Sequence, residues 1–264
     1  MERLWTKSFV LMTVGLLFLF TAFYMLYPTL PLFIKQMGGD KAQVGLAMGA
    51  FMLSAVIFRP IVGGLLDRFG RRPFIVWGLL FFTLAMGMYD WIGGIVVLMG
   101  LRIFHGMSWA VSTTAILTAI TDMIPAARRG EGMGWFSTSM TLAMAVGPIL
   151  GIWVAQNLSY HALFLFAVGL SAAALLLTFG AKMPFRPQSG AKRIELLEKS
   201  VLPFTASVFF LFISYGGITT FVPLFAHSIQ VNSGAFFLVY AATLVLIRPL
   251  ATGTARRLSL YRLS

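Results

Sequence analysis

A short charged segment, GGLLDRFGRRP at residues 63–73, lies between two long apolar stretches of the chain. Before it, residues 42–58 carry no charge, and the apolar pattern continues past Arg59 to about Leu66. After it, residues 73–89 carry no charge. A helix needs about 20 apolar residues to cross the hydrocarbon core of a bilayer. The segment is therefore predicted to be a tight turn between two membrane-spanning helices.

The rest of the chain repeats this pattern of apolar stretches separated by short charged ones. The uncharged stretch 8–34 predicts the first helix, and the stretch from Gly94 to about Leu117 predicts the fourth. Two longer uncharged stretches each predict two helices, because polar residues interrupt them near the middle. These stretches and their interruptions are 132–181 with 156–161, and 200–247 with 227–234. The predicted fold class is an all-α polytopic membrane protein with eight transmembrane helices.

The composition agrees with a membrane location. Hydrophobic residues make up 59% of the 264 residues and charged residues only 11%, whereas a soluble domain carries about 25% charged residues. The net charge of +12 comes from Lys and Arg that fall mainly in the short loops, as in membrane proteins whose loop charges set their orientation. These figures exclude a soluble enzyme, a disordered chain and a nucleic-acid-binding domain.

The sequence offers no residues for catalysis or for a cofactor. It contains no cysteine, and His105, His161 and His227 are isolated, without metal-ligand spacing between them. A glycine-rich phosphate-binding loop is also absent, so nothing suggests that ATP is used. We therefore predict no enzyme activity, no cofactor and no metal site.

The Lys and Arg residues predict the orientation of the chain. With the N-terminus placed in the cytoplasm, only Lys35 and Lys41 fall in loops on the outer side, and the other loop Lys and Arg lie inside. The prediction is a multi-pass protein of a bacterial inner membrane with a cytoplasmic N-terminus and the lipid bilayer as its partner. The sequence does not predict an oligomeric state.

Two landmarks recur at nearly the same spacing and predict an internal repeat. Pro-Leu-Phe occurs at 31–33 and again at 223–225, and Arg-Pro occurs at 59–60 and again at 248–249. Two similar halves of six helices each are a common plan among transporters. The predicted domains are an N-terminal six-helix bundle at 1–181, a cytoplasmic linker at 182–199 and a partial C-terminal bundle at 200–264.

The second copy departs from the first after Arg248. No counterpart of Asp67 or Gly70 follows it, and the tail from about residue 252 looks aberrant. The expectation is that the chain is C-terminally truncated, by a frameshift near Ala251. The alternative is a natural eight-helix protein with a divergent tail.

The charged segment at 63–73 resembles the loop signature of the major facilitator superfamily, G-x-L-x-D-R-x-G-R-R, at the place where that family keeps it. Arg102 followed by Gly106 resembles the arginine and glycine of the family's helix 4. A third motif, Gly134, Gly147-Pro148 and Gly151, resembles the helix 5 signature of its drug and metabolite antiporter branch. Here Ala143 and Ile152 replace two glycines of that signature, which weakens the antiporter assignment.

The resemblance implies a function as well as a fold. It implies a secondary active transporter of a small molecule that works by alternating access, with efflux of a drug-like compound or metabolite as the favoured direction. It also implies proton exchange and a parent architecture of twelve helices. The alternative is a non-transporting, truncated fragment of such a transporter.

Several residues of the charged segment are candidates for a gating loop. Arg71 and Arg72 could pair with Asp122 at the inner end of helix 4, and such pairs break and re-form in switching transitions. The alternative is that the basic residues only anchor the topology. The candidate gating residues are Gly63, Asp67, Arg68, Gly70, Arg71, Arg72 and Asp122.

Arg102 is predicted to lie within the membrane, where an ionisable residue indicates a functional site. His105 follows on the same helical face, and the two are candidates for ion coupling. The alternatives are an arginine that extends to the membrane surface and a histidine that only packs. No Asp or Glu lies in the middle of a predicted span, so coupling would use His105 or a group elsewhere.

Helix 5 and helix 1 supply the remaining candidates. Gly147, Pro148 and Gly151 are predicted to kink helix 5 and to let a neighbouring helix approach closely. Tyr24 and Tyr27 are candidates to line the cavity that binds the small-molecule substrate.

Overall fold

The computed structural model describes residues 3–183, 202–231, 234–240 and 242–243. Within these residues all regular structure is helical, and seven helices are long and apolar enough to cross a membrane. The fold class predicted from the sequence is thereby confirmed. The helices are α1 Lys7–Gln36, α2 Lys41–Phe69, α3 Arg72–Met88, α4 Ile95–Met123, α5 Arg129–Asn157, α6 Tyr160–Phe179 and α7 Leu202–Ser228.

The eighth predicted helix and the linker lie largely outside the described residues. Residues 234–240 and 242–243 are helical, as predicted, after the break that follows Ser228. Most of the predicted linker, from residue 184 onward, and the tail from about residue 252 are not among the described residues.

Local sequence signals account for several helix ends. The side chain of Asp40 accepts a hydrogen bond from the Gln43 amide at 2.7 Å, and the Gln43 side chain accepts one from the Asp40 amide at 2.9 Å, which together cap the start of α2. The hydroxyl of Ser159 accepts from the amide of Ala162 at the start of α6. At the other end of α2, Gly70 adopts a φ of 86°, a conformation that glycine reaches without steric cost.

Helix α4 is longer than predicted. We placed its end at about Leu117, but it continues to Met123. The hydroxyls of Thr118 and Thr121 donate to carbonyls one turn back at 2.8 Å, so these polar residues are satisfied within the helix. The helix stops before Pro125, because the residue ahead of a proline is disfavoured in the α conformation.

The helices run back and forth, so that one end of the bundle collects most of the described basic residues. Contacts between Arg71 and Asp122 and between Lys182 and Ser8 bring the starts of α3 and α1 beside the ends of α4 and α6. We call this the basic end. It holds Lys7, Arg68, Arg71, Arg72, Arg128, Arg129 and Lys182. The other end, which holds Lys35 and Lys41, is called the opposite end.

Helix α1 is central: it packs against α5 and α6, while α2 packs against α4 and α3 against α4 and α6. Glycines allow these close approaches. A Cβ atom at Gly78 of α3 would lie 2.7 Å from the backbone nitrogen of Ser112 in α4. One at Gly106 of α4 would overlap the Ser54 hydroxyl and the Phe51 carbonyl of α2. Small residues are used in this way where membrane helices pack tightly.

Helix α7 packs against α1 along only part of its length. Thr219 and Thr220 are buried, and Leu224 packs against the core. The large apolar side chains from Phe209 to Ile213, which lie nearer the basic end, are 55–69% exposed. The contact between α1 and α7 is therefore made in the middle and toward the opposite end.

Candidate functional site

The side chain of Arg102 lies inside the bundle and is only 3% exposed. It is seven residues into α4, or about 10 Å from the helix start. Its Nε donates to the carbonyl of Ala47 at 3.0 Å, and its Nη1 donates to the hydroxyl of Tyr89 at 3.1 Å. The guanidinium carbon lies 4.3 Å from the centre of the Phe51 ring. Arg102 thus turns inward and does not extend to the membrane surface.

His105 extends this network by one more hydrogen bond. Its Nδ1 lies 2.9 Å from the hydroxyl of Tyr89, and the rings of Phe51 and Phe82 pack around the imidazole. The Nε2 atom is buried and has no hydrogen-bond partner among the described residues. Arg102 and His105 therefore belong to one hydrogen-bond network, and Tyr89 is the residue that links them.

Four tyrosines lie together where the bundle of the first six helices meets α7 and Tyr240. We call these four residues the tyrosine cluster. Tyr24 and Tyr27 of α1 have ring centres 6.5 Å apart, and Tyr215 of α7 and Tyr240 have ring centres 6.2 Å apart. The two pairs are neighbours, because α7 packs against α1 at this point: a Cβ at Gly216, the residue after Tyr215, would lie 4.0 Å from the hydroxyl of Tyr27. All four side chains are only half-buried.

The tyrosine cluster also touches α5. The hydroxyl of Tyr240 donates to the sulfur of Met144 at 3.7 Å. A Cβ at Gly147 would lie 2.6 Å from the Cβ of Tyr24, and one at Gly151 would overlap the carbonyl of Met25. These two glycines hold α5 against the face of α1 that carries the tyrosines. The helix continues through Pro148 from Arg129 to Asn157.

The third glycine of the helix 5 motif behaves differently. A Cβ at Gly134 would meet no atom within 4 Å in the described structure apart from the local backbone of its own helix, and the same is true of Gly63. Gly63 lies inside α2, whereas the turn is made at Gly70. The turn predicted over residues 63–73 is therefore shorter than expected, and Gly63 is not part of it.

At the basic end, Arg71 connects three helices. Its Nε donates to Asp122 at 2.9 Å, its Nη2 donates to Asp67 at 3.3 Å, and its Nη1 donates to the carbonyl of Leu66 at 3.0 Å. The side chain is only 13% exposed, while the two carboxylates are about half-exposed. The ends of α2 and α4 and the start of α3 are therefore held by one guanidinium group.

The neighbouring arginines do not join this network. We expected Arg72 to pair with Asp122, but its guanidinium lies over the ring of Phe179 at 5.3 Å. That of Arg68 lies over the ring of Phe69 at 5.2 Å. Both interactions are cation–π contacts, whereas Arg71 makes the hydrogen bonds to the two carboxylates.

We expect Asp122→Asn to lower stability by about 1 kcal/mol, or about 2–4 °C in melting temperature, at low ionic strength. The change keeps the shape of the side chain but removes the charge that faces Arg71, and the loss should shrink in high salt. Thermal unfolding in detergent at two salt concentrations measures it. Glu131→Gln is the matched control, because its partner Arg128 lies only three residues away. An equal drop in the control would contradict the prediction.

A cavity of about 380 Å³ lies at the opposite end, between α1, α5, α6 and α7. Polar and charged side chains from three of these helices line it, among them Lys35, Gln156 and His227. Its size is within the range of small-molecule sites. Nearby, His161 and Asp90 pair at 2.7 Å and join the start of α6 to the turn after α3.

Three residues of these sites were not predicted from the sequence: Tyr89, Tyr215 and Tyr240. A signal existed for Tyr89, because α3 and α4 form a hairpin with a short connection, which brings Tyr89 close to the first turns of α4. No comparable local signal existed for Tyr215 and Tyr240. Within the described residues, no group of His, Asp and Glu is arranged to hold a metal ion.

Curated relatives of the chain are transporters by name. The chain is 29% identical over 253 residues to the Staphylopine export protein of Staphylococcus aureus, a match that covers 88% of this chain and 62% of that protein. It is 30% identical over 178 residues to the multi-drug resistance efflux pump PmrA of Streptococcus pneumoniae, over 65% of this chain and 44% of the pump. The chain thus spans less than two thirds of the length of these relatives.

Solved transporter structures share the fold. A bacterial homologue of the human lysosomal transporter Spinster, in an inward-facing and unoccupied conformation, superposes with a TM-score of 0.73 at 17% identity, over 99% of this chain and 64% of that one. The nucleoside transporter NupG superposes with a TM-score of 0.67 at 16% identity, over 97% and 69%. The sequence model that describes the Major Facilitator Superfamily matches residues 12–263 of this chain. With nearly its whole length matched and the fold shared, the chain belongs to the Major Facilitator Superfamily.

Proposed function

We propose that the protein is a secondary active transporter that exports a small molecule by alternating access. The single observation that carries this proposal is the tyrosine cluster, which lies where α1 of the N-terminal bundle meets α7. Substrate sites of such transporters lie near the middle of the membrane, between two bundles. Half-buried tyrosines can stack on an apolar molecule and donate hydrogen bonds to it.

The packing of α7 supports a substrate site at the tyrosine cluster that is closed toward the opposite end of the bundle and open toward the basic end. From Tyr215 toward the opposite end, α7 lies against α1, while toward the basic end its apolar residues are exposed. We take the basic end as cytoplasmic, since loop Lys and Arg favour that side. The arrangement then corresponds to an inward-open state in a bacterial inner membrane. The cavity near Lys35 lies on the way out.

The Arg71 network is the proposed switch of the gate. Its bonds to Asp67 and Asp122 fasten the cytoplasmic ends of α2, α3 and α4. Its carboxylates are exposed enough to change partners when the bundles move. We further propose the division into an N-terminal bundle at 1–181, a linker at 182–199 and the C-terminal residues 200–264.

Proton exchange is the proposed energy source. No carboxylate of the described residues lies in the middle of a span, so the polar groups at hand are those of the Arg102, Tyr89 and His105 network. The names of the relatives favour export of a metabolite or of a drug. One relative, 27% identical over 172 residues, is the quinolone resistance protein NorA of Staphylococcus aureus.

Flux into proteoliposomes tests this proposal. The protein is reconstituted, a pH gradient is imposed, and uptake of a fluorescent quinolone is followed against empty vesicles. We expect uptake that collapses when the gradient is dissipated. Tyr27→Ala should raise the half-saturating quinolone concentration by about tenfold, which corresponds to about 1.4 kcal/mol of lost contact. Phe166→Ala is the control, because Phe166 is an exposed aromatic residue of α6 outside the tyrosine cluster.

The competing hypothesis is a chain that inserts into the membrane but does not transport. The comparisons do not favour it over export. Quinolone flux no different from that of empty vesicles, together with equally absent flux of other relatives' substrates such as staphylopine, would leave it as the remaining interpretation. Where flux is present, its loss in Asp67→Asn would identify gated transport, whereas unchanged flux would indicate leakage through the vesicle membrane.

A further inference from the structure

We propose that Arg102 and His105 form a subsite for a carboxylate group of the transported molecule, an inference that rests on the proposed transport function. Arg102 is a full positive charge inside the membrane-spanning part of the bundle. Each of the ion pairs found among the described residues involves other groups, and no carboxylate there lies within salt-bridge distance of Arg102. A buried charge is costly unless it is paired.

The present partners of Arg102 leave one side of the guanidinium weakly satisfied. Nε and Nη1 donate to strong acceptors, which are the carbonyl of Ala47 and the hydroxyl of Tyr89. Nη2 faces the thioether sulfur of Met48 at 3.8 Å, and a thioether is a weak acceptor. An anionic oxygen in that position would form a shorter and much stronger bond. Met48 is thus the contact that a ligand would replace.

His105 supplies a second donor next to this position. In a neutral imidazole one nitrogen accepts and the other donates. Tyr89 accepts a hydrogen bond from Arg102, so its own proton is available for Nδ1 of His105, which places the imidazole proton on Nε2. Nε2 is the buried atom without a partner. The hydrogen-bond network from Arg102 through Tyr89 to His105 therefore ends at an N–H group, Nε2 of His105, that has no acceptor among the described residues.

Arg102, His105 and Met48 line the same small cavity. Its volume is about 10 Å³, enough for about one water molecule or one oxygen atom. Tyr27 of the tyrosine cluster also lines it, and Phe23, Leu26 and Leu30 complete its apolar wall. The cavity therefore joins the tyrosine cluster to the buried charge.

This lining defines the chemistry of the ligand. The base of the cavity offers only donors and a positive charge, whereas the wall and the tyrosine cluster offer apolar and aromatic surface. An amphiphilic molecule with a carboxylate at one end fits both parts. The flexible Met48 side chain can move aside at little cost, and the carboxylate would then supply the negative charge that Arg102 otherwise lacks.

Three probes that share one alkyl chain test the subsite: octanoate, octanamide and octylammonium. Binding to the purified full chain in detergent is measured from the rise in melting temperature. We expect octanoate to bind at least about tenfold more tightly than octanamide, and octylammonium to give no stabilisation. Arg102→Gln should abolish the preference for octanoate. Arg59→Gln should keep it, because Arg59 is an exposed arginine on α2.

Two further variants keep the test decisive where Arg102→Gln fails to fold. His105→Phe preserves the ring packing but removes the Nε2 donor, so octanoate affinity should fall. Met48→Leu removes the competing thioether, so octanoate affinity should stay equal or rise. Equal stabilisation by octanoate and octanamide, or octanoate binding unchanged in Arg102→Gln, overturns the proposal.

The same measurements separate this inference from the proposed function. Selective octanoate binding without any flux in vesicles would support the subsite and contradict transport. Flux that shows no preference for carboxylates, with no selective octanoate binding, would leave transport standing and reject the subsite.

Discussion

Gly106→Leu should leave almost no folded protein. A Cβ at this position would overlap the hydroxyl of Ser54 and the backbone carbonyl of Phe51 in α2. The hydroxyl can rotate away, but the carbonyl can move only if α2 and α4 separate. Overpacking of a well-packed core costs about 1–3 kcal/mol, and more where the backbone must shift. Because α4 also packs against α3 at Gly78, the strain would spread over both contacts.

The measurement is the yield of monodisperse protein in detergent, together with its melting temperature. Gly100→Ala is the matched control, since Gly100 lies on the same helix and a Cβ there meets nothing within 4 Å in the described structure. Alanine favours a helix over glycine by about 1 kcal/mol, so this control should be as stable as the parent or slightly more. A Gly106→Leu protein with the melting temperature of the control would refute the close contact of α2 and α4.

The helices themselves were predictable because, in a membrane protein, the positions of the charged residues and the lengths of the apolar stretches determine where helices begin and end. Four charged residues between 66 and 73 are enough to separate α2 from α3, since charges are excluded from the bilayer core. The end of α4 was predicted too early because Thr118 and Thr121 look like loop residues in the sequence. Inside a helix their hydroxyls bond to the preceding turn, and helix propensity alone does not show this.

The candidate site was only partly predictable, for a related reason. Arg102 could be found from its position alone, since a charge so far inside a span is costly without a role. Its partner Tyr89 required the geometry of the α3–α4 hairpin. Tyr215 lies near Tyr27 because α7 packs on α1, a contact between residues almost 190 positions apart that local sequence patterns do not specify. Gly63 and Gly134 match family motifs, but a Cβ at either position would not come within 4 Å of a neighbouring helix in the described structure.

Arg102→Met should abolish transport without lowering stability. Methionine fills much of the same space with apolar atoms, and the change removes a buried charge that has no carboxylate partner among the described residues. Tyr89 keeps its hydrogen bond to His105, so few polar groups are left unsatisfied. Replacing a buried charge by an apolar residue of similar size is often neutral or stabilising. The melting temperature should therefore stay the same or rise.

Transport should nevertheless fall by at least about 100-fold, which corresponds to about 2.7 kcal/mol of lost stabilisation in the rate-determining step. Initial rates of flux in vesicles and melting curves of the same preparations measure the two effects together. Arg102→Lys should give an intermediate rate, because the charge remains but one ammonium group cannot reach both Ala47 and Tyr89 as the planar guanidinium does. A purely structural arginine would behave differently: in Arg102→Met the melting temperature and the flux would fall together.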